Sequence, residues 1–196
     1  MTTERIDTRQ HILDCGHRLV ARKGFIGVGL AELLTTAGVP KGSFYHYFAS
    51  KEGFGEALLE AYFAQYLTRL DALFQRADLS GAQCLHIYFS RWIETQQGEE
   101  AADYCLIVKL AAEVADLSDA MRAIMLSGTE QILGRLADVL ARGQQDGSIG
   151  NQEPPHELAQ WLYEAWLGAS LLAKLRRDGS AFATVMQRTR LLLTLN

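Results

Sequence analysis

Leu30-Ala31-Glu32-Leu33-Leu34-Thr35-Thr36-Ala37-Gly38-Val39-Pro40-Lys41-Gly42-Ser43-Phe44-Tyr45-His46-Tyr47-Phe48 reads as two short helices joined by a tight turn. Gly38 stops the first helix, and Pro40 fits just ahead of the second. Leu30, Leu33, Leu34, Ala37, Val39, Phe44 and Phe48 fall at spacings that close a small core against a preceding helix. That leaves Lys41, Ser43, Tyr45, His46 and Tyr47 on the outer side of the second helix. Cations, hydroxyls and aromatic rings on a short exposed helix suit a DNA groove.

Outward from this block, helical signals continue in both directions. A first helix is expected from about Asp7 to Lys23, with Ile12, Leu13, Leu19 and Val20 as its apolar stripe and Gly24 as its stop. Ser50 precedes Lys51-Glu52-Gly53 and caps a fourth helix that ends near Ala77. Further helices are expected at about 80–97, 103–115, 117–145, 155–177 and 179–195. The only prolines of the 196-residue chain are Pro40, Pro154 and Pro155, so long stretches carry no helix breaker. No strand alternation and no hairpin turn is evident. The fold class is therefore all-α, with about nine helices. Residues 1–52 are expected to form the head and residues 53–196 the body.

Charge separates the same two parts. Residues 1–51 carry seven cations and four anions, a net charge of +3, while the remaining 145 residues carry −7. A basic head on an acidic body is expected when only the head meets phosphate. No apolar run approaches the length that spans a membrane, and Met1 to Gln10 has no signal-peptide core, so a cytoplasmic location is expected. Cys15, Cys84 and Cys105 form no CxxC pair and are expected as free thiols. His11, His17, His46, His86 and His156 do not cluster at metal-ligand spacing, and no GxSxG, P-loop or Rossmann pattern appears. Neither catalysis, a cofactor nor a bound metal is expected.

Gly24-Phe25, the run Ala37 to Phe48, and Ser50-Lys51-Glu52 together resemble the DNA-binding domain of TetR/AcrR-family transcriptional regulators. The resemblance covers about residues 8–55. It implies a helix-turn-helix head, a ligand-sensing body, and a homodimer that binds a palindromic operator in double-stranded DNA as a repressor. Carried over residue by residue, it implies DNA contacts from Lys41, Ser43, Tyr45, His46 and Lys51, with Gly42 allowing close backbone approach. Gly27-Val28-Gly29-Leu30 departs from the pattern, because many members have threonines before the second helix. Backbone amides are expected to replace the missing hydroxyl.

Within the body, Tyr104 to Ser118 with Met121-Arg122, and Trp166 to Lys174, are similar to the NemR-like branch of that family. The branch is associated with electrophile and oxidant sensing through cysteine, and Cys105 falls on the matching position. Cys105 lies near an expected helix N-terminus, whose dipole favours a thiolate. Lys109, one turn on, and Lys174 would add to that, while Asp103 and Glu113 would oppose it. The other reading of Cys105 is a small buried hydrophobe. In the alternative function, the inducer is a non-covalent hydrophobic or aromatic ligand, with Tyr62, Phe63, Tyr66, Tyr88, Phe89, Trp92 and Tyr104 as candidate lining.

The last two helices are rich in apolar residues. Leu158, Trp161, Leu162, Ala165, Trp166, Ala169, Leu172 and Ala173 recur at three- and four-residue intervals, as do Phe182, Val185, Met186, Leu192 and Leu193. Leu158, Trp161, Leu162, Ala165, Trp166, Ala169, Phe182 and Met186 are the expected dimer interface, built as a four-helix arrangement around a two-fold axis.

Overall fold

The computed structural model describes residues 7–97 and 105–193. Nine helices follow in order among these residues: α1 (Thr8–Lys23), α2 (Leu30–Ala37), α3 (Lys41–Tyr47), α4 (Lys51–Phe74), α5 (Gly81–Gln97), α6 (Leu106–Leu117), α7 (Asp119–Gln145), α8 (Pro155–Arg176) and α9 (Ser180–Leu193). The all-α expectation holds. No helix among the described residues is long and apolar enough to cross a membrane.

The chain forms two compact units, Met1–Ala64 with Glu99–Leu126, and Gln65–Gly98 with Ser127–Asn196. The sequence expectation placed a single break after residue 52. The units interleave along the chain, and α6 falls in the same unit as the three N-terminal helices.

In the first unit, Asp7 caps α1 by accepting from the amides of Arg9 and Gln10. Ile12, Leu13, Leu33, Phe44, Phe48 and Phe54 are buried. The rings of Phe44, Phe48 and Phe54 meet pairwise at 5.2 to 5.7 Å, a close-packed aromatic knot that holds α3 against the start of α4. His11 Nε2 lies 3.0 Å from the carbonyl of Ala37, so α1 also grips the end of α2.

In the second unit, Trp166 is fully buried and stacks on Phe89 at 4.5 Å. Its indole N–H donates to Thr189 Oγ1 at 3.0 Å, which ties α8 to α9. Trp92 donates in the same way to Ser170 Oγ at 2.8 Å. Both buried indoles are thus satisfied, as burial requires. Arg142 of α7 donates to the carbonyl of Phe74 and closes the C-terminus of α4 there, ahead of the expected end near Ala77. Arg135 makes a bidentate pair with Asp71, and Asp146 accepts from the amide of Gly81 at the start of α5.

Leu158, Leu162, Trp166, Ala169, Phe182 and Met186, expected at a dimer interface, are buried within the chain itself. Of the expected set, Trp161 is 49% exposed and Ala165 half-buried. The apolar side chains of α8 that face outward are Trp161, Leu171, Leu172 and Leu175, joined by Leu191 on α9. Helix α8 is apolar nearly all round, so spacing alone could not separate its inner from its outer side.

Candidate nucleic-acid interface and thiol site

Gly38 adopts the left-handed conformation with φ 64°, and the amide of Val39 donates back to the carbonyl of Leu34 at 3.2 Å. This closes α2 and turns the chain into α3 within three residues. Burial of Phe44 and Phe48 fixes the rotation of α3 about its axis. Lys41, Gly42, Tyr45, His46 and Tyr47 consequently face outward, and Ser43 is half-buried. The Lys41 ammonium stands 5.7 Å from the Tyr45 ring centroid. A Cβ at Gly42 would meet nothing within 4 Å, so the backbone there is open to close approach. Gly29 precedes α2 with no side-chain cap, and its open first-turn amides suit an anionic oxygen.

Lys51 is placed differently from the rest. Its ammonium donates to the carbonyl of Phe25 at 2.9 Å and lies 4.8 Å from the Phe25 ring centroid. The side chain is half-buried and serves the α1–α2 loop.

Cys105 is the N-cap residue of α6, with extended backbone and half-buried. Its side chain makes no capping hydrogen bond to the first turn. The Tyr62 hydroxyl donates to Cys105 Sγ at 3.7 Å. The Tyr62 ring in turn stacks on His17 of α1, with centroids 6.0 Å apart and planes at 28°. Lys109 is half-buried one turn along α6. Lys174 is exposed in the second unit, where it lines a cavity of about 340 Å³ with Gln96, Arg177, Asp178 and Phe182. Cys15 and Cys84 are buried.

The aromatic residues considered for a ligand pocket divide between the units. Tyr62 serves the thiol in the first. Tyr66 and Tyr88 share a hydroxyl–hydroxyl bond at 3.2 Å in the second, and Tyr88 meets Trp92 edge-on at 5.8 Å. These rings pack on one another. Tyr104 lies outside the described residues, as does Asp103.

Sequence reasoning weighed Glu113 only as a charge near the thiol, and the structure gives it a different part. Its carboxylate, on α6, accepts from the backbone amides of Phe25 at 3.2 Å and of Ile26. A lone half-buried acid on an otherwise apolar helix face was the signal available; its partner, 88 positions away, was not.

The family model described as bacterial regulatory proteins, tetR family, matches residues 12–58, and the tetracyclin repressor-like C-terminal domain matches residues 81–189. The HTH-type transcriptional repressor NemR of Escherichia coli K12 is 43% identical over 88% of this chain and 86% of its own. The HTH-type transcriptional repressor DhaR of Mycobacterium sp. GP1 is 33% identical over 89% and 86%. The crystal structure of the reduced form of E. coli NemR superposes with a TM-score of 0.91, covering 97% of this chain and 98% of that one, at 39% identity.

Proposed function

Since the chain belongs to the tetR family of bacterial transcriptional regulators and is similar to NemR-type repressors, we propose that it represses from a palindromic operator and leaves it when Cys105 is modified by an electrophile or an oxidant. It acts as a homodimer, one head per half-site, in the cytoplasm. Lys41, Ser43, Tyr45 and His46 reach bases and phosphates from α3. The backbone at Gly42 and the open first turn of α2 approach the phosphate chain.

The observation that carries the sensing half is the position of Cys105. Cys105 is the N-cap residue of α6, its sulfur receives the Tyr62 hydroxyl, and of the three cysteines it alone is half-buried rather than buried. With an activated alkene, the sulfur forms a C–S bond. The alkene's electron pair moves to the adjacent carbon and is protonated from water. With hypochlorite, the thiolate loses two electrons, becomes the sulfenic acid and releases chloride. Either product is bulkier than the thiolate and a poorer acceptor for Tyr62. The bonded arrangement at the start of α6 is then lost, and the equilibrium moves toward a form with weaker operator affinity.

Operator binding by the reduced, the modified and the Cys105→Ser protein tests this reading. Release of the wild type alone supports it, and equal release of both proteins contradicts it.

A further inference from the structure

We propose that Glu113 is the positioning residue through which α6 sets the DNA-reading helices, an inference that rests on the thiol reading for its link to Cys105. Two successive backbone amides, of Phe25 and Ile26, donate to the two oxygens of this one carboxylate. The carbonyl of Phe25 is taken by Lys51 at 2.9 Å. The Phe25 ring is buried beside Gly55, where a Cβ would come within 2.7 Å of it. Phe25 is therefore held at its N–H, its C=O and its ring. Gly24 completes the fit: its φ is 80°, and a Cβ there would stand 2.7 Å from Glu113 Oε2.

What this loop controls follows from the chain order. Ile26 stands four residues before α2 begins, and α2 leads through the Gly38 turn into α3. The other inward residues of α6 are Leu106, Ile107, Leu110 and Val114. Apolar packing of that kind is non-directional. Charge-assisted hydrogen bonds to a carboxylate are directional and weaken steeply when bent or stretched. Glu113 is thus the directional tie between α6 and the loop. Cys105 caps the same helix eight residues earlier, about 12 Å along its axis. A displacement of the α6 N-terminus by modification of Cys105 carries the carboxylate with it and frees the loop ahead of α2. The latched arrangement is the one that binds operator.

The test uses the full-length protein with Glu113→Gln and Glu113→Ala. Operator affinity is measured before and after complete alkylation by N-ethylmaleimide, alongside thermal unfolding. In the reduced state Glu113→Ala is expected to bind operator about tenfold more weakly than wild type, and Glu113→Gln, which keeps one acceptor oxygen, to fall between them. Alkylation is expected to weaken the Ala variant by less than about threefold further, because the loop is already free. A purely structural glutamate would lower the unfolding temperature and leave the ratio of reduced to alkylated affinity at its wild-type value; that result overturns the proposal. So does wild-type affinity in both reduced variants. If Glu113→Ala does not fold, Glu113→Gln decides by the same criteria. A wild type that keeps its operator after alkylation overturns the thiol reading and with it the link to Cys105. Weaker binding by reduced Glu113→Gln would still support the latch.

Discussion

The hydroxyl of Tyr62 stands 3.7 Å from Sγ of Cys105, and the ring that carries it stacks on His17 of α1. One side chain of α4 therefore touches both the thiol and a helix of the DNA-binding head. A hydrogen bond to a charged sulfur is worth more than one to a neutral thiol. Tyr62→Phe keeps the ring and removes that bond. Its Cys105 is expected to react with iodoacetamide about threefold more slowly, followed by mass spectrometry. An unchanged rate would show that the hydroxyl plays no part in the reaction.

Tyr45 and Lys51 are expected to separate two kinds of effect. Tyr45 is 47% exposed on α3 and braces nothing internal beyond its contact with Phe44. Tyr45→Ala should weaken operator binding and reduce the salt slope of binding by about one ion, with little change in unfolding temperature. Lys51 holds the carbonyl of Phe25. Lys51→Ala should lower stability by about 1 kcal/mol as well as operator affinity. Equal unfolding curves for Lys51→Ala and wild type would remove Lys51 from the loop clamp.

How far the sequence reached differs between the two ends of the molecule. The helix-turn-helix was legible because its signals are local: Gly38 at a left-handed position, Pro40 ahead of α3, and Phe44 and Phe48 one turn apart. Helix boundaries also followed local caps, while the end of α4 at Phe74 is bonded by Arg142, 68 residues away. The Glu113 clamp joins positions too far apart for any periodicity to connect. In α8, the neighbours Trp161 and Leu162 are both apolar, and only packing decides that Leu162 faces in and Trp161 out.

That distinction gives a prediction about assembly. Trp161, Leu172 and Leu175 lie outward on one side of α8, while Leu162 and Trp166 lie inward. Combined Trp161→Asp and Leu172→Asp should give a folded monomer with lost operator binding, read by light scattering and circular dichroism. Trp166→Ala should instead destabilise the fold by about 3–5 kcal/mol. A double variant that remains dimeric would place the interface elsewhere.

Acid sensitivity is expected from Asp146. The Ser148 hydroxyl and the amide of Gly81 hold its carboxyl below the usual range. A depressed folded-state value stabilises the protein above the unfolded value near 4 and is lost as pH falls through the folded one. Asp146→Asn should therefore cost about 0.5 kcal/mol at pH 7, small because the side chain is exposed. The gap in unfolding temperature between the two proteins should close below about pH 4. A gap that stays constant with pH would show that the carboxylate's charge contributes nothing.

The most direct test of the central claim is operator affinity by fluorescence anisotropy, on DNA from upstream of the protein's own gene, for wild type and Cys105→Ser. Each is measured reduced, after N-ethylmaleimide, and after hypochlorite followed by dithiothreitol. The expected result is tight binding by both reduced proteins, release of the wild type alone on modification, and recovery after reduction of the oxidised form. Wild type and Cys105→Ser that respond alike to both reagents would contradict the account.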